Sequence, residues 1–246
     1  MIGILDRAYT RSKKGLTHED VDWKPEVSYF GSSRHVWYCF APKNVTRKAS
    51  IREGILPQDG KVVVYTISSL NLIVPDVEKT RNGLREVYED ATSRLNEDLK
   101  CYKEVSVMGV SLGNVLSTRL ASNLSDRKIK NLVSLIGGSR LGFSAWDSIT
   151  TSNTAQNSGC KTVFEYEAAL EEFSPINHLP RISAQRVFAR FGASDLMIRY
   201  SPHGRELRKA LASMNADEKD IRTYPFMDHC SMIMLLGFLG IRNSLK

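Results

Sequence analysis

Glu104-Val105-Ser106-Val107-Met108-Gly109-Val110-Ser111-Leu112-Gly113 is the stretch on which the reading of this chain turns. Its first five residues have strand character, and Leu112, Val115, Leu116, Leu120 and Leu124 then recur at spacings of three and four. A strand therefore passes directly into an amphipathic helix, and the junction reads G-x-S-x-G. So tight a turn brings the backbone too close to its neighbours for side chains at both flanking positions, and Gly109 and Gly113 supply the room. The turn lifts the Ser111 hydroxyl above the sheet edge. The helix behind it offers unsatisfied N–H groups and a positive dipole end to a developing oxyanion.

Around this junction, from about residue 61 onward, short apolar runs alternate with helical periodicity. Lys61–Ile67, Glu104–Met108, Leu132–Ile136, Arg186–Phe191 and Ile221–Phe226 read as strands, buried on both faces because they lack polar alternation. Pro225 cannot donate to a ladder, which places the last strand at a sheet edge. Leu84, Val87, Tyr88, Ala91, Leu95 and Leu99 mark a helix from about Pro75 to Leu99, and Leu207, Ala210, Leu211 and Met214 mark another. The expected architecture is α/β, a mostly parallel sheet flanked by helices in a single domain over residues 1–246. Residues 139–179 read as a small lid, a loop leading into one short helix from Val163 to Phe173.

The N-terminal third admits two readings. In the preferred one, Glu26–Phe30 is a strand ending at Gly31-Ser32-Ser33, and a helix and a long connection lead to the strand Lys61–Ile67. In the other, Glu26–Phe30 and His35–Phe40 form a hairpin and Lys61–Ile67 is the third strand.

A serine hydroxyl becomes a useful nucleophile when a base takes its proton and a third group orients that base. His229 follows the strand Ile221–Phe226 and Asp195 follows the strand Arg186–Phe191, so both loops fall at the same edge of a parallel sheet as Ser111. The chain order Ser, Asp, His is the one expected of a nucleophile elbow. Asp228 puts a second carboxylate beside His229 and reads as a solvated loop residue.

On these residues the chain resembles the α/β-hydrolase fold superfamily: Gly109-Val110-Ser111-Leu112-Gly113 matches its elbow, Gly192-Ala193-Ser194-Asp195 its acid loop, and Asp228-His229-Cys230-Ser231 its base loop. The resemblance implies Ser111 as nucleophile, His229 as base and acid, Asp195 as orienting carboxylate and the Leu112 N–H as one oxyanion donor. No His-Gly motif precedes the elbow, which leaves the second donor to Ser32 on the preferred N-terminal reading or Ser69 on the other. Asn114 stands where a small residue is usual and is read as a matter of helix packing. In the lid, Phe143 and Trp146, with Leu141 and Phe164, are the candidate walls of a shallow acyl pocket. The implied activity is cleavage of an acyl ester through an acyl-enzyme. A thioesterase or acyltransferase, or a silent hydrolase scaffold that only binds, are the alternatives.

Composition narrows the classes. With 42% hydrophobic and 25% charged residues, a disordered, collagen-like or disulfide-dense chain is excluded. Thirty-four Lys+Arg against 27 Asp+Glu give +7, spread along the chain without an aromatic-interleaved basic stripe, so nucleic acid is not an expected partner. Cys39, Cys101, Cys160 and Cys230 lack zinc spacing and read as reduced, partly buried thiols; no metal or organic cofactor is implied. The apolar run Met232–Ile241 is far short of the roughly 20 residues of a membrane span and reads as a buried helix. Ile2-Gly3-Ile4-Leu5 is too short for a signal-peptide core, so the expected compartment is the cytoplasm and the expected partner a small acyl ester or thioester.

Overall fold

The computed structural model describes residues 24–31, 34–67, 72–124 and 129–241. Within them β1 (Glu26–Phe30), β2 (His35–Pro42), β3 (Gly60–Ile67), β4 (Glu104–Val110), β5 (Ile129–Leu135), β6 (Ser183–Gly192) and β7 (Asn215–Tyr224) form one sheet in the order β1-β3-β2-β4-β5-β6-β7. β1 runs antiparallel to β3, and all other neighbours are parallel.

Parallel neighbours need crossovers, and helices supply them. Between β2 and β3 lie α1 (Lys43–Arg47) and α2 (Ala49–Ile55), then α3 (Val77–Asp98) leads to β4 and α4 (Gly113–Ser122) to β5. The β5–β6 connection carries α5 (Leu141–Asp147), α6 (Ser152–Gln156) and α7 (Val163–Leu170), followed by short 3₁₀ turns ending at Arg181. α8 (Arg205–Ser213) precedes β7 and α9 (His229–Leu239) follows it.

Alternate strand residues feed two cores. Val36, Tyr38 and Phe40 of β2 face the layer holding Leu84, Val87, Leu116 and Leu120, from α3 and α4. Trp37, Cys39 and Ala41 face the layer holding Ile51 and Ile55 of α2 and Met232, Ile233 and Leu236 of α9. β2 is thus buried on both faces.

That burial explains where the N-terminal expectation fails. The preferred reading followed Gly31 with a helix, whereas His35–Pro42 is a central strand whose apolar residues show no alternation to announce it. Nor is there a hairpin, because β3 lies between β1 and β2. The segment 139–179 holds three α-helices rather than one; α6 is Ser152-Asn153-Thr154-Ala155-Gln156, too short and polar to carry an apolar stripe. α9 also departs from the fully buried helix expected: Met234, Phe238 and Leu239 are exposed while the opposite side packs on the sheet. The last strand is Asn215–Tyr224 rather than Ile221–Phe226; it lies at the sheet edge as expected, but Pro225 stands just beyond its end and so is not what keeps it there.

Candidate active site

β4 enters the elbow at full burial and leaves it through Ser111, whose φ of 57° lies in the left-handed region that non-glycine residues rarely occupy. The Ser111 N–H donates to Leu135 O at 2.9 Å, which ties the turn to β5. A Cβ on Gly109 would run into the Ser117 hydroxyl and the Asn114 backbone, and one on Gly113 into the Phe40 carbonyl at the end of β2. Both glycines are therefore demanded by close backbone approach. Among the described residues the Leu112 N–H meets no acceptor, and Leu112 lines the same cleft as Ser111.

Asn114 has a part that helix packing alone does not describe. Its side chain is buried; its amide donates to Ser111 O and Leu135 O, each at 2.9 Å, and its carbonyl oxygen accepts from the Ser134 hydroxyl at 2.6 Å. It therefore clamps the elbow to the end of β5. Ile136, next along, is itself held at φ 55°. Two adjacent strands thus end in backbone that a bulky residue adopts only under constraint.

The loops that carry Asp195 and His229 are bound to one another before their side chains meet. The Ala193 N–H donates to Tyr224 O at 2.9 Å and the Ser194 N–H to Met227 O at 3.1 Å. Asp195, 4% exposed, accepts the Met197 and Ile198 N–H groups on Oδ1, and its Oδ2 lies 2.8 Å from His229 Nδ1. His229 is likewise buried, at the start of α9. Asp228 is not solvated at large: its carboxylate caps α9 by accepting the Ser231 N–H at 2.7 Å. Cys230 is exposed rather than packed, and partial burial, then the Asp228 and Asp195 carboxylates, push its thiol up, so a thiolate is disfavoured beside the base. Cys101 is also exposed, which leaves Cys39 as the fully buried thiol.

The structure brings Asp195 and His229 together, but it does not join them to Ser111. Neither the Ser111 hydroxyl nor His229 Nε2 has a hydrogen-bond partner among the described residues. Ser32 and Ser69, the two candidates for the second oxyanion donor, lie outside the described residues.

A small cleft opens beside Ser111. Ile73, Leu112, Val115, Leu141, Met197 and Ile198 give it apolar walls; Arg140, Ser144, Ser148, Thr150 and Thr151 give it polar ones. Leu141 is thus a wall, but Phe143 and Trp146 are not among the lining residues. Phe143 meets the exposed Phe164 edge-on, and Trp146 packs toward Tyr166, within the lid itself. The lid is held by Glu167, whose carboxylate accepts the Gly142 and Phe143 N–H groups and the Ser174 hydroxyl; burial pushes its carboxyl up. The aromatic residues could be picked out by size, whereas Arg140, Ser144, Ser148, Thr150 and Thr151, which line the cleft, could not, because four of the five lie outside the short helices and follow no apolar period. Among the described residues no group of three or more His, Cys, Asp and Glu is placed to hold a metal ion, and no helix is long and apolar enough to cross a membrane.

No protein-family model matches the chain, and no curated protein matches it in sequence. Solved structures do match it in shape. The acylaminoacyl peptidase of Pyrococcus horikoshii superposes at a TM-score of 0.59 with 12% identity, over 88% of this chain and 37% of that one. This chain therefore spans little more than a third of that peptidase's length. A structure reported for the metagenome-derived lipolytic enzymes LipS and LipT matches at 0.52 with 11% identity, over 87% of this chain and 94% of that one. Acyl-protein thioesterase 2 of Zea mays matches at 0.52 with 13% identity, over 91% of this chain and 99% of that one.

Proposed function

This chain has the α/β-hydrolase fold, and on that premise we propose that it is a serine hydrolase cleaving an acyl ester through an acyl-enzyme on Ser111. The observation that carries the reading is the left-handed Ser111 at a strand end whose flanking glycines leave no room for a Cβ. Such backbone costs free energy, about 1–2 kcal/mol for one residue, and is kept where it aims a side chain.

In the proposed sequence the Ser111 Oγ attacks the ester carbonyl carbon while His229 Nε2 takes the hydroxyl proton. Asp195 holds the His229 Nδ1–H, fixing the tautomer that leaves Nε2 free to accept. The Leu112 N–H receives the oxyanion. The second donor is assigned to Lys43: β2 is the strand beside β4, Pro42 at its end has no N–H to give, and the Lys43 N–H opens α1 with no helical partner of its own. The intermediate collapses as His229 returns its proton to the leaving alcohol. Water, deprotonated by His229, then releases the acid and restores Ser111. Ser111 and His229 close to hydrogen-bonding distance with substrate in place, since such contacts are often long in a resting enzyme. A small ester or thioester is the proposed partner.

Covalent labelling by a fluorophosphonate tests this reading as a whole, because the reagent needs the nucleophile, the base and the oxyanion donors together. Labelling at Ser111, lost in Ser111→Ala, is the expected result; a folded protein that stays unlabelled refutes it and favours a silent scaffold. The near-complete mutual coverage with the maize acyl-protein thioesterase 2 favours thioester hydrolysis as the second reading, and relative rates on p-nitrophenyl esters and acyl-thioesters decide between them.

A further inference from the structure

We propose that the cleft selects substrates that carry a carboxylate, and that Arg140 is the residue that reads it. The inference rests on the hydrolase reading above and adds the substrate class. Among the described residues lining the cleft that also holds Ser111, Arg140 is the one that carries a charge, and it stands at the N-cap of α5. The remaining lining is apolar or hydroxyl-bearing.

Arg140 is held only loosely by its own protein. Its Nε and one terminal nitrogen lie 3.5 Å from Glu206 Oε1, at the limit of a hydrogen bond, and both side chains are more than a third exposed. The other oxygen of Glu206 takes a short hydrogen bond from the Ser139 hydroxyl. An exposed pair of this kind is worth about 0–1 kcal/mol, so an incoming carboxylate can displace it at little cost. Glu167, the second carboxylate near Arg140, is occupied by two backbone N–H groups and Ser174. A guanidinium whose planar fork is held this weakly can turn to match a carboxylate in two parallel bonds.

A second feature of the same wall points to an acceptor-bearing ligand. Ser144, 8% exposed, lines the cleft, and its hydroxyl has no hydrogen-bond partner among the described residues. The neighbouring hydroxyls are spoken for: Ser148 bonds Thr150 at 2.9 Å, and Thr151 donates to Ala145 O at 2.8 Å. A buried unmet donor costs about 1–3 kcal/mol, a deficit that a ligand oxygen reaching this wall would remove. The net charge of +7 draws anions to the molecule at long range.

The carboxylate could sit on the acyl half or on the leaving group, and the test separates the two. Specificity constants are measured for p-nitrophenyl hemiglutarate against p-nitrophenyl butyrate, and for p-carboxyphenyl butyrate against phenyl butyrate. Wild type is expected to favour the carboxylate ester of one pair by about tenfold or more, mostly through KM. In Arg140→Met that ratio should fall about tenfold, Arg140→Lys should keep part of it, and salt should weaken it. Ser144→Ala, should Arg140→Met fail to fold, is expected to lower the ratio by a smaller factor.

Ratios near one in wild type for both pairs overturn the proposal, as does a preference that survives in Arg140→Met. The hydrolase reading fails differently: then no ester is turned over and no fluorophosphonate attaches to Ser111. Turnover and labelling without carboxylate preference remove only the inference made here.

Discussion

The molecule carries the same three residue types at two opposite edges of its sheet. At the start of the parallel strands, Ser106 Oγ lies 2.8 Å from His35 Nε2, and His35 Nδ1 lies 2.9 Å from Asp59 Oδ2. Ser106 Oγ already accepts the Asn131 backbone and side-chain N–H groups, so its own proton goes to His35 and the imidazole passes an N–H to Asp59. The His35 bond holds the Asp59 carboxyl below its usual range. As a set of distances this group is more complete than Ser111, His229 and Asp195, yet Ser106 is 0% exposed and sits in regular strand. Ser111 gives up its hydrogen bond and its relaxed backbone and gains a face on a cleft. Hydrogen-bond geometry alone therefore does not identify a nucleophile; access to substrate and a backbone that aims the hydroxyl outward do.

Exchanging the nucleophile candidates breaks the comparison most sharply. Ser111→Ala should lower ester hydrolysis at least about a thousandfold with the fold intact, while Ser106→Ala should cost stability and leave the rate within a few-fold at temperatures well below melting. The acids sharpen it further: Asp195→Asn should cost several orders of magnitude, Asp228→Asn less than about tenfold and Asp59→Asn little or nothing in rate. Steady-state kinetics beside thermal melting reads both halves. A Ser106 or Asp59 variant that folds and loses the activity would show that the wrong edge has been taken for the site.

Asn114 is the next test, with a smaller effect. It touches no substrate; it positions Ser111 by holding the elbow carbonyl and β5 together. Asn114→Ala should lower kcat about ten- to thirtyfold with KM nearly unchanged, and slow fluorophosphonate labelling by a similar factor, since a nucleophile displaced by under 1 Å loses alignment before binding is lost. Asn114→Asp should be worse, because a carboxylate would face the Ser111 and Leu135 carbonyl oxygens. A purely structural role would lower the melting temperature and leave the labelling rate alone.

Asn114 also marks where the sequence stops being legible. The elbow could be read because a missing Cβ is a local backbone demand that Gly109 and Gly113 state outright. The loops of Asp195 and His229 could be placed because each follows a strand that ends at the same edge of the parallel sheet as β4, and the two side chains meet at 2.8 Å. The partners of Asn114 in β5 lie 20 and 21 residues away and depend on the β4–β5 register, which no local pattern encodes. β2 entered only the second of the two N-terminal readings, and there as half of a hairpin, because burial on both faces erases the alternation that would have marked it as the central strand whose end stands beside Ser111. Between β5 and β6, Phe143 and Trp146 drew attention by size together with Leu141, and of these Leu141 lines the cleft, beside Arg140 and Ser144, which nothing in the local pattern singled out.

The smallest effect concerns the strain itself and has opposite signs at the two serines. Ser111 at φ 57° bears the penalty of a side chain in the left-handed region, about 1–2 kcal/mol. Glycine there removes that penalty but adds about 0.5–1 kcal/mol of unfolded-state entropy, so Ser111→Gly should be neutral to slightly stabilising, by up to about 1 kcal/mol, in an inactive protein. Ser111→Ala keeps the Cβ and should show no such gain. Ser106→Gly has no strain to relieve. It removes the hydroxyl that His35 Nε2 and two Asn131 N–H groups bond in a buried strand, and should destabilise by about 2–4 kcal/mol. Urea midpoints at constant slope measure both. If Ser111→Gly proved as damaging as Ser106→Gly, the elbow would be an ordinary turn, and the difference between the two serines would reduce to exposure alone.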